Sequence, residues 1–219
     1  MKVINFAEQD SLIGVYIKEM RDVNVQGDSL RFRNNLKRLG EIMSYEISKT
    51  LNYNKVKTTT PLGEADCVEV ADKVVLSTVL RAGLPFHEGF ISYFDHAENA
   101  FVSAWREYKD DSHMEFDVKV GYLASPSLQD KTLLLVDPML ATGSSMEIAY
   151  RGLLSRGIPS KVHIVAVIAS RQAVDFLKEK FADVNATLWV GVIDEILNEH
   201  SYIVPGLGDA GDLSFGEKL

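Results

Sequence analysis

Unbroken aliphatic runs recur along the chain and alternate with segments whose apolar residues follow a helical period. The runs cover residues 74–80, 133–136, 162–169 and 186–192. Such runs are typical of strands that are covered on both faces, as in a parallel sheet. Helical spacing predicts helices near residues 28–51, 85–94 and 171–181, and a further helix from Met146. This alternation predicts an α/β fold with a mostly parallel central sheet flanked by helices.

Alternating, β-branched residues on both sides of a Pro61-Leu62-Gly63 turn predict a β-hairpin arm. Its strands are expected near residues 55–60 and 65–70. Cys67 lies in the second strand, and its apolar neighbours predict a buried side chain. Because Cys67 is the only cysteine, an intramolecular disulfide is excluded. Residues 1–27 follow no clear period, so no element is predicted there.

The most polar stretch runs from Arg106 to Asp117, between strands predicted at residues 100–105 and 118–123. A charged segment of this kind inside a compact domain is typical either of a mobile lid over a site or of a solvated hairpin. Composition favours neither, and both interpretations stay open.

The segment from Lys131 to Ser145 combines a buried strand, the Asp137 carboxylate, and a turn of small residues before a helix. Pro138 is expected to end the hydrogen-bond ladder of the strand. The N-terminus of a helix offers N–H groups and partial positive charge, so the turn at 141–145 can bind a phosphate. Asp137 can accept hydrogen bonds from sugar hydroxyls. Taken alone, a Ser/Thr-rich turn is equally typical of an ordinary N-cap.

Two arginines also fall near predicted strand ends. Arg81 follows the run at 74–80 and precedes two small residues, and Arg106 follows the strand at 100–105. Ligands of parallel sheets bind beyond the carboxyl ends of the strands. We therefore expect Arg81, Arg106 and Asp137 to lie together at the carboxyl edge of the sheet. For Arg81 an alternative is an arginine that only caps the sheet edge.

A glycine-rich segment lies near the C-terminus. Gly206, Gly208 and Gly211 satisfy the dinucleotide pattern G-x-G-x-x-G, but Pro205 interrupts any preceding strand and too little chain follows for a crossover helix. The segment instead predicts a flap whose backbone N–H and C=O groups meet the edge of a flat polar molecule. An ordered tail packed on the sheet is the alternative.

Composition sets the outer limits. The chain has 219 residues with 46% hydrophobic residues, and we expect one domain over residues 1–219 with a C-terminal hood at about 193–219. No apolar run is long enough to span a bilayer, and residues 1–8 lack the apolar core of a secretion signal, so no membrane association and a cytoplasmic location are expected. The net charge of -8 argues against broad nucleic-acid binding.

Motifs spread along the chain resemble those of the uracil phosphoribosyltransferases. Residues 137–143 resemble the family's signature for phosphoribosyl diphosphate (PRPP), and residues 202–212 resemble its uracil-binding hood. Residues 80–84 resemble its pyrophosphate loop, and Phe32-Arg33 with Tyr45-Glu46 resembles its first helix. The segments stand in the family's order from about residue 28 onward.

The resemblance implies transfer of ribose 5-phosphate from PRPP to N1 of uracil, giving UMP and pyrophosphate, with Mg²⁺ carried by PRPP and no direct protein ligand to the metal. It assigns catalytic roles to Asp137, Arg81, Arg106 and Asp209, the last of these near the magnesium–pyrophosphate. The implied PRPP site comprises Arg81, Arg106, Asp137, Pro138, Met139, Leu140, Ala141, Thr142, Gly143, Ser144, Ser145 and Asp209. The implied uracil site comprises Ile203, Gly208, Asp209 and Ala210.

The resemblance further implies a homodimer or larger homo-oligomer, and GTP as an activator. Ser144 departs from the family pattern, which has a second glycine there, and the segment after Arg106 lacks the family's threonine, proline and paired aromatics. Two other readings stay open. One is a transferase for another base, although purine enzymes commonly have a second acid where this chain has Pro138. The other is a non-catalytic pyrimidine sensor that binds RNA through a basic face such as Arg31, Arg33, Lys37 and Arg38.

Overall fold

The computed structural model describes residues 1–108 and 116–217, and only the backbone of residues 104–108 and 116–120. The helices are α1 Leu12–Arg21, α2 Ser29–Ser48, α3 Leu84–Ile91, α4 Ser144–Leu153, α5 Arg171–Lys180 and α6 Ala210–Phe215. The strands are β1 Lys2–Asn5, β2 Tyr53–Thr60, β3 Gly63–Val70, β4 Val74–Val79, β5 Glu98–Tyr108, β6 Phe116–Ala124, β7 Thr132–Val136, β8 Met139–Leu140, β9 Lys161–Ser170, β10 Ala186–Asp194, β11 Ile196–Leu197 and β12 Ile203–Val204.

A single sheet forms the centre of the fold. Its strands lie in the order β1-β10-β9-β7-β4-β5-β6, and the short β8 pairs with β9. Neighbouring strands are parallel except for β5 and β6, which are antiparallel. Helices pack on the sheet, β2 and β3 form the separate hairpin arm, and β11, β12 and α6 form the C-terminal hood. The predicted fold class is therefore confirmed.

Strand β7 shows why the aliphatic runs are unbroken. Its alternate residues Leu133 and Leu135 pack into the core cluster beneath α4 and α5, whereas Leu134 and Val136 pack into the cluster beneath α1, α2 and α3. All of these side chains are fully buried. A strand with core on both faces cannot alternate apolar and polar residues, so its sequence reads as a continuous apolar run.

Helices α2 and α3 meet at two glycines. A Cβ on Gly89 would lie 2.1 Å from the carbonyl oxygen of Lys37, and a Cβ on Gly40 would lie 2.4 Å from that of Phe86. Both obstacles are backbone atoms, which cannot rotate away. The two glycines thus allow α3 to approach α2 closely enough for Phe86 and Phe90 to be fully buried.

Two features differ from the sequence expectations. Cys67 was predicted to be buried but is exposed, because β3 pairs only with β2 and nothing in the described part of the chain covers the arm. Residues 1–27, for which no element was predicted, contain β1 and α1. Strand β1 is a four-residue edge strand and α1 is short, so neither produces a long periodic signal. Within the described residues, the helices are all too short or too polar to cross a bilayer.

We predict opposite effects for the same substitution at two helical glycines. Gly89→Ala should lower the free energy of unfolding by roughly 1–3 kcal/mol, because the added methyl group overlaps the backbone of α2. Gly14→Ala, in α1, has no atom within 4 Å of its Cβ and should raise stability by about 0.5–1 kcal/mol, because alanine favours the helix. Urea denaturation of both variants measures the difference, and equal effects would show that the glycine contact is not tight.

Candidate active site

A cleft of about 560 Å³ lies at the carboxyl edge of the sheet. Three segments border it: the loop after β4, the segment that follows β7, and the hood. The residues that line it are Val79, Leu80, Arg81, Ala82, Asp137, Met139, Ala141, Ser145, His200, Ser201, Tyr202, Gly208, Asp209, Ala210 and Gly211. The parallel pairing of β4 with β7 brings the first two segments together. The cleft therefore combines residues that are far apart in the sequence.

Asp137 begins the segment after β7 and faces the cleft. Its carboxylate accepts a hydrogen bond from the backbone N–H of Met139 at 3.3 Å. Burial raises the pKa of Asp137 to about 7, and the Met139 hydrogen bond opposes this shift only in part. Hydroxyl donors from a bound sugar would favour the ionised carboxylate.

Pro138 does not end the strand pairing, contrary to expectation. The carbonyl oxygen of Pro138 accepts hydrogen bonds from Val167 and Ile168 of β9, and the short strand β8 then continues the pairing. Because the proline only lacks a donor, its acceptor still bonds to the neighbouring strand. Pairing of Leu140 with Ala169 carries the chain onward, and the Leu140 side chain points into the core and not into the cleft.

The turn before α4 has the geometry of an anion-binding loop. Gly143 has a left-handed backbone (φ 79°), and α4 begins at Ser144, two residues before the predicted start at Met146. The Thr142 hydroxyl donates to Ser144 Oγ at 2.9 Å, and the backbone N–H of Ser144 donates to Thr142 Oγ1 at 3.3 Å. Ser144 is thus buried inside the turn, whereas Ser145 is exposed and lines the cleft.

The base of this turn is fixed by the next strand. The hydroxyl of Ser170, the last residue of β9, donates to the carbonyl oxygen of Ala141 at 2.5 Å and accepts from the N–H of Ala173 at the start of α5. One side chain therefore caps α5 and anchors the turn before α4. Because Ser170 is fully buried, the turn is held from inside the protein.

Arg81 reaches from the loop after β4 towards the hood. Its Nη2 lies 3.0 Å from Asp212 Oδ1, and its Nη1 donates to the carbonyl oxygen of Gly216 at 3.5 Å. The peptide bond between Leu80 and Arg81 is cis. Since the Arg81 side chain is partly exposed and lines the cleft, it is accessible to an anion despite its contact with Asp212.

The hood supplies the opposite wall. Asp209 caps α6 by accepting hydrogen bonds from Gly211 and Asp212 at 2.8 and 3.0 Å. Gly208 and Ala210, on either side of it, line the cleft. Ile203 does not: its side chain is buried in the core, so any contact with a ligand must come from its backbone.

Arg106 was expected to follow the end of a strand, but it lies inside β5. Strand β5 pairs with β4 only as far as Val102, but its antiparallel pairing with β6 continues to Tyr108, and Arg106 is paired with Val118. The hairpin β5–β6 thus extends past the carboxyl edge of the sheet. The side chain of Arg106 and residues 109–115 of the predicted lid lie outside the described residues.

His200 and Ser201, which no motif of the sequence singled out, also line the cleft, next to Tyr202 at the start of the segment that resembles the hood. An exposed polar and aromatic cluster beside a glycine-rich flap was the available signal. No group of three or more His, Cys, Asp or Glu residues suited to hold a metal ion occurs among residues 1–108 and 116–217.

The chain is similar to known proteins over its whole length. A family model described as uracil phosphoribosyltransferase matches residues 7–217. The uracil phosphoribosyltransferase of Porphyromonas gingivalis is 57% identical over 219 residues and covers 100% of both chains. The chain belongs to the uracil phosphoribosyltransferase family. The family, the enzyme class and the transferase function that the resemblance implied are thereby confirmed.

Solved structures extend the comparison to the fold of this family. A protein from Aquifex aeolicus superposes with a TM-score of 0.83 at 29% identity and covers 98% of both chains. A hypoxanthine phosphoribosyltransferase from Staphylococcus aureus superposes with a TM-score of 0.50 at 15% identity, covering 84% of this chain and 82% of its own. At that identity the likeness shows the fold alone. It agrees with a type I phosphoribosyltransferase architecture.

We predict that Asp137→Asn raises the melting temperature of this uracil phosphoribosyltransferase at alkaline pH and lowers its turnover. Burial raises the pKa of Asp137 from 3.8 to about 7, so the folded protein favours the protonated acid. The resulting contribution to the free energy of unfolding is fully present below pH 3.8 and is lost as the pH rises through about 7. The asparagine variant should therefore melt a few degrees above the parent at pH 8, and the difference should disappear towards pH 4. Thermal melts across this range test the prediction. Asp95→Asn is the control, because Asp95 is an exposed acid and its replacement should leave the melting temperature unchanged. A lower melting temperature for Asp137→Asn than for the parent at pH 8 would contradict the prediction.

Proposed function

We propose that the cleft binds PRPP along its sheet side and uracil along its hood side, and that it joins them at N1 of uracil to give UMP and pyrophosphate. The observation that carries this assignment is the meeting of two unlike walls across one cleft. One wall is a helix N-terminus with a carboxylate beside it, and the other is a glycine-rich backbone segment. A donor with phosphates and a flat base need these two surfaces.

The donor half of the site follows from the turn before α4. The 5-phosphate is proposed to bind the N–H groups and hydroxyls at residues 141–145, and Asp137 to accept hydrogen bonds from the ribose hydroxyls. Residues Pro138, Met139 and Leu140 are proposed to link the two, and Met139 lines the cleft between them. Arg81 and Arg106 are proposed to bind the pyrophosphate, and the exposed guanidinium of Arg81 supports its part.

The acceptor half follows from the hood. Gly208 and Ala210 expose backbone to the cleft, and Asp209 stands between them. Backbone N–H and C=O groups in a fixed pattern match the donors and acceptors of a planar imide and discriminate strongly against a base with another pattern. We propose that Gly208, Ala210 and the backbone of Ile203 bind uracil, with Asp209 directed at the ribose.

The donor set of the cleft fits a magnesium ion that arrives with the substrate. Asp137 and Asp209 are its lining carboxylates, and Mg²⁺ is commonly bound by one or two carboxylates together with substrate phosphates. When bound, the ion neutralises charge on the leaving pyrophosphate. The chain itself orients the reactants, stabilises the departing anion through arginine, and shields the oxocarbenium-like centre from water. None of the described lining residues is assigned as a general base.

We further propose a single domain that assembles as a homodimer or larger homo-oligomer in the cytoplasm, with GTP as an activator. Pairing of β1 with β10 supports a single domain, since residues near the N-terminus complete the main sheet. The arm supports assembly, because an isolated two-stranded hairpin is marginally stable and Leu62 and Val68 are exposed on it. GTP activation rests on the family resemblance alone, and the cytoplasmic location rests on the composition of the chain.

The sensor that binds RNA gains little support from the basic face of α2. Arg31 donates two hydrogen bonds to the carboxylate of Glu19, and Arg33 donates to the carbonyl oxygen of Ser214 at 2.6 Å. These cations already have partners within the protein. The ion pair with Glu19 offsets the charge of Arg31, which weakens the attraction of this face for phosphates.

The direct test is incubation of the purified protein with PRPP, Mg²⁺ and labelled uracil. UMP should form, and hypoxanthine or guanine in place of uracil should give no nucleotide. Nucleotide from a purine base would indicate the transferase for another base. Binding of uracil, UMP or RNA without any product would indicate the sensor.

A hood variant tests whether the base is bound separately from the donor. Gly208 has a left-handed backbone (φ 88°) and lines the cleft, so Gly208→Val should abolish uracil binding and leave PRPP binding within about twofold. Gly63→Val is the control for a valine at a positive φ, because Gly63 has a φ of 156° and lies on the arm, outside the cleft. Calorimetric titration with each substrate gives the answer. Equal loss of both ligands in Gly208→Val would contradict a separate base site.

A further inference from the structure

Side chains from the N-terminal part of the chain hold the hood loop from behind. Arg21, the last residue of α1, lies 2.8 Å from the carboxylate of Asp194 at the end of β10. That carboxylate also accepts a hydrogen bond from the backbone N–H of Gly206 at 2.9 Å. In the turn after α1, Gln26 Nε2 donates to the carbonyl oxygen of Leu207 at 3.2 Å and to that of Met20 at 2.7 Å.

Asp194 is a bridge between α1 and the hood. Its two carboxylate oxygens have different partners: Oδ1 accepts from Arg21 and Oδ2 accepts from Gly206. The Asp194 side chain is only 6% exposed and the Arg21 side chain 23%, so the bond to Gly206 is buried and the bond to Arg21 is partly buried. The orientation of the carboxylate, and hence the position of the Gly206 N–H, therefore depends on Arg21.

Neighbouring charges do not compete for this pair. Lys18 binds Asp22 at 2.9 Å on one side of it, and Arg171 binds Glu195 at 2.9 Å on the other. Arg21 and Asp194 are thus left to each other. A buried ion pair contributes little net stability, because desolvation of the two charges offsets most of their attraction. The pair therefore matters for the position that it gives to the Gly206 N–H and not for its energy.

The loop that it holds packs closely against its surroundings. Gly206 has a left-handed backbone (φ 60°), and a Cβ there would lie 2.0 Å from the carbonyl oxygen of Ile203. Leu207 is buried in the core cluster beneath α1 and α2. The next residue, Gly208, lines the cleft. Since consecutive Cα atoms are about 3.8 Å apart, a displacement of Gly206 reaches the cleft within two residues.

We propose that Arg21 and Gln26 are positioning residues for the base, acting through Asp194, Gly206 and Leu207. They fix the hood loop so that the backbone groups from Gly208 to Ala210 stand ready for uracil. This inference rests on the proposed function of the cleft. Neither side chain touches the substrate site: Arg21 and Gln26 are absent from the cleft lining.

Arg21 and Gln26 support the base half of the cleft and not the donor half. The donor half stands on β7, β8 and the start of α4. Among the residues that the structure describes, the side-chain hydrogen bonds of Arg21 and Gln26 go to Asp194, Met20 and Leu207. Loss of Arg21 should therefore loosen the base site and leave the donor site in place. The KM for uracil should rise about tenfold, which is the effect of one lost hydrogen bond to a charged group, while the KM for PRPP stays unchanged.

The experiment compares Arg21→Met, Arg21→Lys and the control Lys18→Met in steady-state assays with each substrate varied in turn. Lys18 is the matched control because it lies on the same helix, forms an ion pair of similar length and has no link to the hood. Arg21→Met should raise the KM for uracil alone, and Arg21→Lys should recover part of the effect by restoring the charge. Lys18→Met should match the parent.

Outcomes that would overturn the proposal are distinct from failure of the proposed function. If the parent forms UMP but Arg21→Met keeps its KM for uracil, or loses kcat with both KM values unchanged, Arg21 is merely structural. If the parent forms no UMP, the proposed function itself fails. Should Arg21→Met not fold, Gln26→Ala decides, because Gln26 lies in a partly exposed surface turn: a selective rise in the KM for uracil supports the proposal, and its absence overturns it.

Discussion

The parallel pairing of β4, β7 and β9 is the constraint on which the rest of the structure depends. Parallel strands end at one edge of the sheet. Three segments that are distant in the sequence therefore converge there: the loop that carries Arg81, the carboxylate of Asp137 and the turn before α4. The same pairing buries β7 on both faces. The aliphatic layer behind Asp137 shields the carboxylate from water, and this burial raises its pKa to about 7.

The two halves of the cleft are supported in different ways. The proposed donor half is anchored from within the sheet, where Ser170 donates to the carbonyl oxygen of Ala141. The proposed base half packs on the sheet through Ile203, Leu207 and Ala210, and its loop is positioned by two carboxylates: Asp209 caps α6, and Asp194 accepts from the N–H of Gly206. Strand ends are positioned by many backbone hydrogen bonds, whereas a hood of this kind is positioned by a few, so single substitutions act more selectively on it.

Much of the fold could be predicted from the sequence because its signals are local. The aliphatic run of β7 and the hairpin turn at Pro61 each indicate their structure within a few residues. Interactions between distant segments gave no such signal. The burial of Ile203 away from the cleft, and the link from Arg21 to the hood, arise only after packing. Cys67 was misjudged for the same reason, since an alternating pattern does not say whether anything covers the hairpin.

The exposure of Cys67 gives the arm a practical use. It is the only thiol of the chain, and it stands on β3, whereas the cleft has none. A fluorophore or spin label can therefore be attached at one natural position without mutagenesis and without entering the substrate site. In the proposed oligomer, distances between such labels would report how the arms are arranged in solution.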